Sequence, residues 1–156
     1  MSYLFVKWLH IVSSTILFGT GIGSAFYLLC ASLSRDARLV ARVAGWVVRA
    51  DWLFTATTVV LQPLTGWWLM HIARFPIDAW WLERSIVLYA LAVACWLPVV
   101  WLQMRMRDLA AQAAREGSAL PRAFRRCFIA WFALGVPALL AFLAIFYLMV
   151  AKPGGP

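Results

Sequence analysis

The sequence predicts an all-α polytopic membrane protein, a four-transmembrane-helix bundle with both termini periplasmic. Three observations carry this. Of its 156 residues, 65% are hydrophobic and the mean hydropathy is +0.84, which leaves too little polar surface to cover a soluble globule. The apolar residues gather in runs of about 20 or more, the length a helix rising about 1.5 Å per residue needs to cross roughly 30 Å of hydrocarbon. Basic residues collect in alternate connections between those runs. No Pro/Gly/Ser-rich linker divides the chain, so residues 1–156 form one integral membrane domain. The spans are expected at about 3–30, 52–72, 85–104 and 127–150.

The first span, Tyr3 to Cys30, is interrupted by His10, by Ser13, Ser14 and Thr15, and by Gly19-Thr20-Gly21-Ile22-Gly23-Ser24. It does not read as a signal peptide, because Lys7 comes late, the run is too long and no cleavage site follows. An ionisable group inside a span is costly and defaults to a functional hypothesis. Lys7, Ser13 and Ser14 share the side of His10 at helical spacing, so this face looks toward protein. The competing reading makes His10 hydrogen-bonded glue between helices. Thr15, Gly19 and Gly23 read as a small-residue packing face, and the glycines lack the spacing and preceding strand of a nucleotide loop.

Ser34 followed by Asp36 reads as the start of a second helix. Arg35, Arg38, Arg42 and Arg49 make the segment amphipathic, either lying on headgroups or extending the next span. In the second span Asp51, Thr55, Thr58, Gln62 and then Thr65 or Gly66 recur at steps of three and four, a polar stripe for the bundle interior. Pro63 removes a backbone donor, so a kink is expected, with the freed carbonyl met by a neighbouring helix or water. His71 falls about opposite Gln62 on a straight helix.

A short turn is expected at Arg74–Asp78. Around it Trp67, Trp68, Trp80 and Trp81 read as an interfacial aromatic belt. The third span places Ser85, Tyr89, Ala92 and Trp96 on one face, with a second kink at Pro98. Helix-forming composition continues to about Arg115. The fourth span carries Gly135 and Pro137 but no charge, and a disordered tail is expected from Lys152 to Pro156.

Orientation follows from the basic residues. Arg35, Arg38, Arg42, Arg49, Arg105, Arg107, Arg115, Arg122, Arg125 and Arg126 fall in the first and third connections, against Lys7, Arg74, Arg84 and Lys152 at the other face. The arginine-rich connections are therefore expected in the cytoplasm of a bacterial inner membrane. That bias explains the formal charge of +8 and isoelectric point near 10.3 without nucleic acid. Cys30, Cys95 and Cys127 are odd in number and far apart, which argues against disulfides and a zinc finger.

With this topology His10 and His71 enter the same leaflet from different helices. Two imidazoles so placed suit axial ligation of haem b, with Arg74 and Arg84 at the rim for the propionates and Tyr89, Trp8 and Trp67 as walls. His10 lies about 10 Å below Tyr3 whereas His71 sits near the lip, so a level pair requires shifted boundaries. The same leaflet holds Met70 and Met149, and thioether with imidazole suits copper, with His10 and His71 again the metal ligands. The main rival of haem is a cofactor-free accessory or scaffold, with copper third. The expected partners are the lipid bilayer and either a membrane redox protein or a second copy of the chain. Glu83 beside Arg84 suggests proton transfer, against a plain helix-start acid and interfacial base. With two His and six acidic residues, no nucleophile–base–orienter set can be assembled.

Several segments carry a resemblance: Lys7-Trp8-Leu9-His10-Ile11, Leu17-Phe18-Gly19-Thr20-Gly21, Ala50-Asp51-Trp52-Leu53-Phe54-Thr55, Leu61-Gln62-Pro63-Leu64-Thr65-Gly66 and Trp96-Leu97-Pro98-Val99-Val100-Trp101-Leu102-Gln103. Across nearly its whole length the chain resembles an uncharacterised bacterial family of predicted integral membrane proteins. More distantly, the His10 span and Gly66-Trp67-Trp68-Leu69 are similar to the membrane protoporphyrinogen oxidase of the HemJ type and to the copper resistance D proteins. That likeness implies a small haem-linked or copper-linked helical bundle. The oxidase carries a His and a Lys at the head of its third span, where this chain has Glu83 and Arg84, so only His10 carries over as a site.

Overall fold

The computed structural model describes residues 2–74, 76 and 78–153. Phe75 and Ile77 of the expected turn, and Gly154 to Pro156 of the expected tail, lie outside them. The described residues form helices α1 (Tyr3–Ser34), α2 (Ala37–Ala50), α3 (Ala56–Ala73), α4 (Trp80–Glu116) and α5 (Arg122–Ala151), with no strand among them. A five-residue π-helical segment, Asp51–Thr55, joins α2 to α3 without a break. The described residues thus make four long helical rods, and α1, α4 and α5 are each long and apolar enough to cross a membrane.

The helices outrun the expected spans because their polar ends pack instead of fraying. Ser34 closes α1; the acceptor that starts α2 is Asp36, whose Oδ1 takes the Arg38 and Leu39 amides at 2.8 and 3.3 Å. Arg35 between them is left-handed, with φ 59°. The α2 segment does not lie alone on headgroups. Val40 and Ala44 are fully buried and pack with Leu28 of α1, Met106 and Ala110 of α4 and Phe124 of α5. Its arginine face stays exposed. Helix α4 runs on to Gly117, whose φ of 63° suits a residue without Cβ.

The π segment redirects the second rod: α2 packs mainly on α4, whereas α3 packs mainly on α1. One inserted residue turns the buried face by about a quarter turn or more, so the rod changes neighbour at Asp51–Thr55. Thr55 Oγ1 donates to Asp51 Oδ1 at 2.9 Å, and the Thr57 and Thr58 hydroxyls donate to carbonyls one turn back. Further along, Pro63 deprives the Val59 carbonyl of its amide donor. The Tyr89 hydroxyl of α4 donates to that carbonyl at 2.6 Å. The neighbouring-helix partner expected for Pro63 is therefore Tyr89.

Two sequence readings are corrected. Trp67, Trp68 and Trp80 are exposed as an aromatic belt requires, but Trp81 is buried with Leu82 and Leu148, against Met70 and Met149. Gly19 and Gly23 are not a close crossing within the chain, since a Cβ at either would meet nothing within 4 Å. The close approach falls instead at Gly66, where a Cβ would come 3.4 Å from His10 Cε1.

Candidate functional site

The His10 site forms where the start of α1 meets the end of α3. Apolar residues on either side of His10 commit this turn of α1 to helix, and Gly66 leaves α3 without bulk where the ring arrives. Gln62 Nε2 donates to Ser13 Oγ at 2.6 Å and to the His10 carbonyl at 3.0 Å. Ser13, buried to 1% exposure, donates to the same carbonyl at 3.1 Å. These bonds fix the register of the two helices at His10.

The half-buried imidazole places Nδ1 2.7 Å from Thr65 Oγ1. Thr65 has one hydroxyl proton, directed at the Leu61 carbonyl 2.6 Å away. With that proton on the carbonyl, the hydroxyl accepts from Nδ1–H, a tautomer assigned from the hydrogen-bond network. The Nε2 lone pair is left to face a ligand, a proton or solvent. A histidine oriented through one ring nitrogen so that the other can ligate is the usual arrangement at metal and haem sites.

The other sequence candidates stand elsewhere. His71 is exposed and stacks on Trp67, with centroids 5.9 Å apart and planes at 16°. It lies about 7 to 8 Å beyond Gly66 along α3 and about 140° around it, so His71 is not on the face of α3 that meets His10. Arg74 ends α3 in the left-handed region at φ 54° and is exposed. Exposed Arg84 sits over the Trp80 ring at 5.8 Å, and Glu83 beside it is exposed. Met70 and Met149 join the Trp81 cluster. Among the described residues, no three His, Cys, Asp or Glu side chains converge as a metal group.

Of the polar stripe, Gln62 and Thr65 meet α1. Asp51, Thr55 and Thr58 are buried farther down the rod. Sequence reasoning missed Gln103, only 3% exposed in α4. Its place just before the arginine-rich segment gave it the appearance of a residue at the membrane edge.

A family described as "Predicted integral membrane protein (DUF2269)" matches residues 4–153. The chain belongs to this family. No curated protein and no solved structure matches it. Within this DUF2269 chain the match takes in every helix described above, His10 and the π segment included.

Proposed function

We propose that this DUF2269 protein is a four-span protein of the bacterial inner membrane that binds haem b through His10. The second rod, from the π segment through α3, is the fourth crossing, and the arginine-rich ends of the rods face the cytoplasm. The observation that carries the reading is the hydrogen bond from His10 Nδ1 to Thr65, which leaves Nε2 as the ring's ligating nitrogen. Gln62 and Ser13 hold the backbone of that turn, and Gly66 gives the ring room. Arg74 and Arg84 are the guanidinium donors for propionates. His71, exposed and stacked on Trp67, is the second ligand candidate. Bound there, haem b supplies a one-electron couple.

A cofactor-free scaffold is the rival, because the same bonds from Gln62 to α1 hold helices together without any ligand. Absorption spectra of detergent-purified protein from haem-supplied cells, oxidised and dithionite-reduced, separate the two. The haem reading predicts a Soret band that His10→Ala removes and His71→Ala weakens. A flat visible spectrum from folded protein contradicts it, and a Soret band indifferent to His10→Ala moves the ligand elsewhere.

A further inference from the structure

A second polar centre lies in the other half of the bundle, away from His10. A cavity of about 350 Å³ opens between α1 and α5, floored by the π segment and α4. Those outer helices meet sparsely, with Phe18 edge-on to Phe146 at 5.1 Å. Its walls are mainly apolar and aromatic, among them Phe18, Trp131, Phe132 and Phe142. Gly21 and Gly135 also line it, and a Cβ at either would meet nothing within 4 Å.

Three polar atoms in its lining have no hydrogen-bond partner: Asp51 Oδ2, Gln103 Oε1 and Trp96 Nε1. Asp51 and Gln103 are each 3% exposed, and the Gln103 side chain reaches toward the Asp51 carboxylate. Orphaned polar atoms at such depth cost free energy unless something occupies them. Their chemistry is specific: two acceptors lie together at one end, and an indole donor stands two turns away along α4.

We propose that this cavity binds the head of a lipid-soluble quinol. A molecule entering between α1 and α5 must come from the bilayer, so its body is apolar. Its head must carry an O–H donor at the end where Asp51 Oδ2 and Gln103 Oε1 lie and an oxygen that accepts from Trp96 Nε1 at the other. An ammonium has donors but nothing for the indole N–H, and an oxidised quinone has acceptors but nothing for the two oxygens. A hydroxyl does both. Residues 96 and 103 lie on one face of α4, about 10 Å apart by helical rise, which leaves room between them for a ring with a hydroxyl at either end. The aromatic walls suit a flat ring.

The test does not rest on the haem reading. A decyl-substituted benzoquinol, kept reduced, is titrated by calorimetry into the detergent-purified full chain, beside its dimethyl ether and dodecylamine. The expected result is saturable binding of one quinol per chain, at least tenfold weaker for the ether and for Asp51→Asn or Gln103→Leu. Gly21→Phe, which fills open space, abolishes binding while the far-ultraviolet circular dichroism is unchanged. Absence of saturable binding by folded protein overturns the proposal, as does equal affinity for quinol and ether. Tighter binding of dodecylamine, lost in Asp51→Asn, replaces the quinol with a cationic amphiphile.

Discussion

Thr65 has one hydroxyl proton, and its direction toward the Leu61 carbonyl decides what His10 presents to the rest of the site. Thr65→Val keeps the shape and removes the acceptor. It should lower stability in mixed-micelle unfolding by about 1 kcal/mol, the usual net worth of such a bond, and let the ring rotate. Gly66→Leu pushes side chain into the space the ring occupies, so a loss of about 1 to 3 kcal/mol is expected from overpacking, with Gly66→Ala much milder. An imidazole in an apolar run announces itself, and the step of three and four from Asp51 to Thr65 marked the face that meets it. Gln103 and Trp81 were not legible in the same way. Their burial comes from contacts with other helices, Gln103 beside the π segment and α5 and Trp81 against Leu148 of α5, and no local pattern records that.

Within the second rod, the two irregularities differ in how far residue type reveals them. Pro63 is written in the sequence, and so is the need for a donor to the Val59 carbonyl; that Tyr89 supplies it depends on the placement of α4. A double-mutant cycle tests the assignment. Tyr89→Phe alone should cost about 1 kcal/mol, whereas in a Pro63→Ala background, where the backbone amide returns, the cost should fall below about 0.5 kcal/mol. Equal costs in both backgrounds would break the link between proline and tyrosine. The π segment was not legible, because a one-residue slip in hydrogen-bond register is spread over backbone geometry and no residue type specifies it. The pair Thr57 and Thr58, with hydroxyls that compete for the carbonyls behind them, is the one local sign.

Across the whole molecule, the bundle holds two polar centres at different depths, His10 against α3 and Asp51 with Gln103 beneath the cavity. The class of protein and the count of rods were legible because apolar run length reports membrane thickness directly. The helix ends were not, since α2, the end of α4 and the start of α5 cover one another with a mixed composition that resembles a loop. Cysteine accessibility tests the orientation. With Cys30, Cys95 and Cys127 replaced by Ala, Ser118→Cys should react with a membrane-impermeant maleimide only in inverted vesicles, and Asp78→Cys only in right-side-out spheroplasts. The opposite pattern would invert the topology and put His10 in the cytoplasmic leaflet.

The most direct test of the His10 assignment is nitrogen-15 NMR of the apoprotein labelled at histidine, where His71 is the one other signal and His71→Ala identifies it. Nδ1 of His10 should resonate as a protonated, pyrrole-type nitrogen and Nε2 as a pyridine-type one, and Thr65→Val should mix the two forms. A protonated Nε2 with an unprotonated Nδ1 would contradict the account, because the ligating lone pair would then be spent on Thr65.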